Sequence, residues 1–139
     1  MKKIFFISFF VLILVACKKT EFSPEGPTDV RVRNLSDLNF EDVIVSTSEK
    51  VGDTILFGVI AGKAVSEYFR FSKAYSKAEI SAKINIGGTL MQFSTGPENY
   101  TYMDYKSQVR MTFEVYISDM NKRELTISNI ILEEPLVLK

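Results

Sequence analysis

The stretch QVRMTFEVYI, residues 108–117, sets Val109, Met111, Phe113, Val115 and Ile117 alternately with Gln108, Arg110, Thr112, Glu114 and Tyr116. Successive side chains of a strand point to opposite faces, so a period of two predicts a half-buried antiparallel strand; a surface helix would repeat at 3.6. Residues 79–86 repeat the pattern, with Ile80, Ala82, Ile84 and Ile86 on one face. Gly87 and Gly88 then supply positive φ cheaply, and residues 89–94 return with Met91 and Phe93, which predicts a hairpin.

Working outward, Val30 and Val32 mark a first strand and residues 40–47 a second, separated by the turn-forming Asn34-Leu35-Ser36-Asp37. Residues 54–60 are almost continuously apolar and suggest a central strand. Residues 65–71 follow the turn Ala61-Gly62-Lys63, and residues 123–133 close the domain. In that last segment Leu125 and Ile127 are in one phase while Ile130 and Leu132 are in the other, which predicts a bulge near Asn129. No helical period lasts beyond two turns. Seven or eight short sequential strands predict an all-β, antiparallel two-sheet sandwich over residues 28–139.

The 139 residues, 46% hydrophobic and 24% charged, suffice for one globular domain. With no His there is no His-based general base, triad or His-ligated metal, and the single Cys cannot form an internal disulfide. No metal and no cofactor is expected.

The amino terminus carries the address. Met1-Lys2-Lys3 is a short cationic start, and residues 4–16 form an uncharged apolar run in which Ser8 is the one polar side chain. As a helix this run would cover only ~20 Å, against the ~30 Å of a bilayer core, so it reads as a signal peptide rather than a span. It ends in Leu14-Val15-Ala16-Cys17, which resembles the lipobox of bacterial lipoproteins. The resemblance implies cleavage between Ala16 and Cys17 and lipidation of Cys17, including a palmitate-type acyl chain. An ordinary secretory signal with an incidental cysteine is the alternative. Two or three acyl chains hold a protein durably on a membrane, each buried CH₂ contributing ~0.8 kcal/mol.

Residues 17–27 then form the lipidated terminus and a tether bearing Pro24, Gly26 and Pro27; residues 18–27 reach at most ~33–36 Å. The alternative is that Phe22 packs on the domain and shortens the tether. Removing Lys2 and Lys3 from the 17 basic residues leaves 15 against 17 acidic ones, a formal balance of −2. A slight acidic excess disfavours nucleic acid as a partner.

The lipobox, the tether, residues 30–37 (VRVRNLSD) followed by 40–45 (FEDVIV), and residues 62–69 (GKAVSEYF) together resemble the small lipoproteins common in Bacteroidota. That resemblance implies an immunoglobulin-like sandwich and an envelope location, with no catalytic residues to carry over. Surface-exposed lipoproteins of that phylum resemble one another in having acidic residues soon after the lipidated Cys. Lys18 and Lys19 stand there instead, which favours an outer-membrane position facing the periplasm.

Tyr100, Tyr102 and Tyr105, with Asn99, Asp104 and Gln108, form the best candidate ligand site, because aromatic faces beside amides and carboxylates suit a glycan. The stronger alternative is a tyrosine folded over the core with its hydroxyl on backbone. Tyr68, Phe69, Phe71 and Tyr75 are expected in the core or over a sheet edge. Asp119 and Asn121, or Glu98, Asn99 and Asp104, hold oxygen ligands for Ca²⁺ without any recognisable calcium loop. Glu41-Asp42 and Glu133-Glu134 point to opposite faces of a strand and cannot flank one glycosidic bond from there.

Asp53-Thr54-Ile55 resembles the short Bacteroidota O-glycosylation sequon, with Thr54 as acceptor; a turn also accounts for Asp53. Asn34-Leu-Ser36 and Asn99-Tyr-Thr101 match the eukaryotic N-glycan pattern, which has no bearing on a bacterial lipoprotein. The expected function is that of a non-catalytic membrane-anchored envelope lipoprotein, binding or structural, with an envelope protein or a glycan as partner. The alternatives are a glycan-binding module built on the tyrosine loop, or a carboxylate-based hydrolase.

Overall fold

The computed structural model describes residues 27–103 and 105–133; Ala16, Cys17, the tether before Pro27, Asp104 and Glu134 lie outside the described residues. The strands are β1 (Thr28–Asn34), β2 (Phe40–Ser46), β3 (Thr54–Ile60), β4 (Phe69–Phe71), β5 (Ala74–Tyr75), β6 (Glu79–Ile86), β7 (Thr89–Ser94), β8 (Tyr105–Lys106), β9 (Arg110–Asp119) and β10 (Glu124–Glu133). Among the described residues the one helical element is a single 3₁₀ turn, Val51–Asp53. The all-β expectation therefore holds.

Eight strands form one sheet in the order β3-β2-β6-β7-β10-β9-β1-β4, curled nearly into a barrel, while β5 and β8 make a separate ribbon. The finer expectation, two antiparallel sheets, is not confirmed, in two respects. First, β7 and β10 are joined through the pair Ser94↔Glu124, so the halves β3-β2-β6-β7 and β10-β9-β1-β4 belong to one ladder. Second, β1 runs parallel to β9, from Asp29↔Arg110 to Asn34↔Val115. That register places Val30 and Val32 beside Met111 and Phe113, all fully buried, so apolar burial accounts for a pairing across 80 residues of chain.

The hairpin of β6 and β7 turns at Gly87 (φ 59°) and Gly88 (φ 91°) as its glycines predict. The bulge in β10 falls between Ile127 and Asn129. Residues 65–71 form less strand than expected: only Phe69–Phe71 pairs continuously with β1, and Val65 makes an isolated bridge to Arg33.

The largest correction concerns β3, which is an edge strand and not a central one. Leu56 and Val59 are exposed, and Gly58 at φ 81° sits where the β2 register shifts at Val43. The barrel's open side lies between β3 and β4, where Phe57 stacks on Phe69 with ring centroids 4.2 Å apart and meets Phe71 at 6.1 Å. Rings there replace a backbone ladder. Phe40, Phe71, Phe93 and Phe113 fill the interior, each contributing ~1.5–3 kcal/mol relative to an exposed ring.

Two buried polar side chains fix the chain ends of this barrel. The Asn34 amide donates to the carbonyls of Leu38 (2.8 Å), Ile60 (3.3 Å) and Ala61 (3.2 Å), and its oxygen accepts from Ser36 N–H (2.9 Å). At the other end the fully buried Asp53 ties the start of β3 to the turn after β4. Its carboxylate accepts from the Ser48 hydroxyl (2.7 Å), the Ser72 N–H and hydroxyl (2.9 and 2.6 Å) and the Lys73 N–H (3.2 Å).

Candidate functional site: a tyrosine and lysine cleft

The end of the barrel that carries Asp53 also carries the β5–β8 ribbon. Ala74 pairs with Lys106 and Tyr75 with Tyr105. Lys73 and Tyr75 are two apart in extended chain and so face the same way. The Lys73 ammonium stands 4.7 Å over the Tyr105 ring and 5.9 Å over the Tyr75 ring. Tyr75 in turn lies 5.1 Å from Tyr100 at an interplanar angle of 30°, and meets Tyr105 edge-on at 6.5 Å. Each such ring contact is worth ~0.5–1.5 kcal/mol beyond its buried area, so the set is self-supporting.

Tyr100 is buried against this cluster. Its hydroxyl donates to the Ser46 carbonyl (3.0 Å) and accepts from Glu79 N–H (3.3 Å). Burial pushes the phenol above its ordinary pKa, and nearby Glu98, Glu79 and Glu49 add to that, outweighing the lowering effect of the Glu79 N–H. This is the arrangement of a ring folded over the core with its hydroxyl on backbone. Tyr102 is the opposite case: fully exposed, with φ at 64°, a left-handed backbone that bulky residues rarely adopt. Tyr105 is half-buried in β8. Asn99 is exposed, and its side-chain oxygen accepts from Thr101 N–H (2.9 Å), closing a local turn.

The structure thus joins Tyr100 and Tyr105 through Tyr75, a residue expected with the core set, and leaves Tyr102 apart on the loop. Sequence reasoning did not single out Lys73 and assigned Tyr75 to the core or a sheet edge rather than to the site. The two-residue spacing in SKAYSK, residues 72–77, was the available signal, but two residues of strand are too short to stand out.

A cleft of about 210 Å³ opens between residues 48–50, Lys73, Tyr75 and residues 100–101. That is smaller than the ~300–1,000 Å³ of drug-sized sites and suits a single ring or headgroup. The charged ends of Glu49, Lys50 and Lys73 make no ion pair among the described residues, whereas Lys77 is held by Glu98 at 3.3 Å. A wider groove of about 600 Å³ follows the parting of β7 from β10, walled by Lys77, Thr95, Glu98 and residues 124–130.

The remaining candidates are placed as follows. Thr54 is exposed at the start of β3 and donates to the Ser46 hydroxyl at 3.0 Å, beside the buried Asp53. Asp119 caps its turn, accepting from the N–H groups of Asn121 (2.8 Å) and Lys122 (2.9 Å). The Lys122 N–H bond, joined by that of Asn121 and the Lys122 charge, holds its carboxyl below the usual range against desolvation. Glu133 bonds Arg31 (3.0 Å) and the Tyr68 hydroxyl (2.8 Å), and Asp42 pairs with Lys83 at 2.8 Å. Tyr68, expected in the core or over a sheet edge, directly precedes the edge strand β4, with the Arg31 and Arg110 guanidinium groups 4.5 and 5.2 Å from its ring centre. Comparison with protein-family models, curated proteins and solved structures finds no match to this chain.

Proposed function

We propose that this chain is a non-catalytic lipoprotein of the Bacteroidota cell envelope, anchored through lipid on Cys17 to the outer membrane and facing the periplasm, whose β domain is a binding module. The observation that carries the binding role is the cleft beside Lys73 and Tyr75, where the charges of Glu49, Lys50 and Lys73, in no ion pair among the described residues, meet tyrosine rings at one end of the barrel. Support for a non-catalytic role comes from the two buried carboxylates of the described residues, both committed to the fold: Asp29 to Arg70 at 2.8 Å and Asp53 to four hydrogen bonds. The barrel is also read as an immunoglobulin-like sandwich in which one residue pair links the halves.

Mass analysis of the amino-terminal peptide after expression of the full chain in a bacterial host tests the anchor. Diacylglycerol and palmitate-type chains on Cys17 are expected, with Cys17→Ser releasing the protein from membranes. Recovery of an unmodified full-length chain from the cytosol would refute it. A second reading, glycan binding, draws on the Tyr75 and Tyr100 rings walling a space for one sugar unit. Envelope pull-down and a glycan array, each repeated with Tyr75→Ala, decide between protein and glycan; a ligand indifferent to that change would move the site elsewhere.

A further inference from the structure

We infer that the end of the barrel bearing Val51 and Tyr102 rests in the headgroup layer of the bilayer that holds the protein's own lipid anchor. This rests on the lipoprotein reading above and adds an orientation to it. Three observations converge.

The first is where the chain leaves the domain. Pro27, the last residue of the tether, accepts a hydrogen bond at its carbonyl from Gln108 N–H (2.8 Å), and the Thr28 hydroxyl donates to the Lys106 carbonyl (2.6 Å). Lys106 pairs with Ala74 in the ribbon, next to Lys73. The tether therefore emerges at the cleft end. With at most ~33–36 Å of reach over residues 18–27, the lipid anchor lies within that distance of this end.

The second is exposure. Val51 is 94% exposed and Tyr102 fully so, well above every other large apolar side chain of the described residues, the next being Val59 at 66%. Both follow residues that line the cleft, Lys50 and Thr101, so the two flank one surface. A valine and a tyrosine held out in water gain nothing from the fold. An interfacial layer accepts both, because an aliphatic side chain finds acyl boundary and a tyrosine places its ring there with its hydroxyl in the wet region. The third is the set of lysines around them. Lys50, Lys73 and Lys106 gather at this end and make no ion pair among the described residues, which sets three positive charges against the carboxylate of Glu49 in the same cleft and favours lipid phosphates there.

The test uses the lipidated full chain reconstituted in phosphatidylethanolamine/phosphatidylglycerol vesicles. Because the lipid consumes the only native thiol, Val51→Cys, Tyr102→Cys or Met120→Cys adds the one labelling site for a nitroxide. Met120 is exposed in the turn between β9 and β10, away from the tether. The expected result is a several-fold lower accessibility to a water-soluble nickel relaxant at residues 51 and 102 than at residue 120, with oxygen accessibility raised. Equal, water-like accessibility at all three positions in vesicle-bound, lipidated protein would overturn the orientation and leave the anchor standing. A free, labelled thiol at Cys17 would overturn both.

Discussion

At the scale of single residues, the buried Asn34 and Asp53 side chains tie neighbouring segments together at the two ends of this barrel. Desolvation raises the Asp53 carboxyl pKa, but hydrogen bonds from the Ser72 and Ser48 hydroxyls and the Lys73 and Ser72 N–H groups outweigh it, leaving the carboxyl below its ordinary value. A group easier to ionise in the fold than in the unfolded chain stabilises fully above the unfolded value of ~3.9, and that contribution is lost as pH falls through the folded value. Urea unfolding of wild type and Asp53→Asn between pH 6 and pH 3 should show wild type losing its advantage on acidification, with a cost for the variant of ~1.5–3 kcal/mol at pH 6. Tyr100→Phe should cost ~1–3 kcal/mol in the same assay, because Ser46 O and Glu79 N–H lose their partner, whereas Tyr102→Ala should fall within ~0.5 kcal/mol. The sequence offered both tyrosines as equals. Which ring turned inward depended on Ser46, 54 positions away.

Among the elements, β3 departs most from its sequence. TILFGVI, residues 54–60, has no charge, reads as a doubly buried run, and yet lies at the sheet edge with one face open. Edge strands of this kind invite pairing with other chains. Val59→Lys on the exposed face should change stability by less than ~0.5 kcal/mol and reduce aggregation measured by light scattering on heating. Phe57→Ala, by contrast, removes the ring that closes the barrel on Phe69 and should cost ~3–5 kcal/mol. At the far end the turn at residues 61–64 packs against the backbone of Asp37, where a Cβ at Gly62 would overlap the carbonyl. Gly62→Ala should therefore destabilise by ~1–3 kcal/mol in thermal or urea melts, while Gly88→Ala suffers only from its φ of 91°, with open space around it.

For the molecule as a whole, the pairing of β1 with β9 joins chain segments about 80 residues apart, and the barrel cannot close before both exist. Loop closure of that length delays the contacts that repay it, so stopped-flow refolding is expected in milliseconds to seconds, and microsecond refolding would contradict this topology. The sequence by itself determined the strands of residues 79–94 and 108–117, the glycine hairpin and the β10 bulge, because strand period and turn chemistry are local properties of side chain and backbone. Tertiary structure alone decided the edge place of β3, the parallel partner of β1, the burial of Tyr100 and the meeting of Lys73, Tyr75 and Tyr105. Those follow from which distant apolar faces exclude water together, and alternation along one strand carries no information about its neighbour.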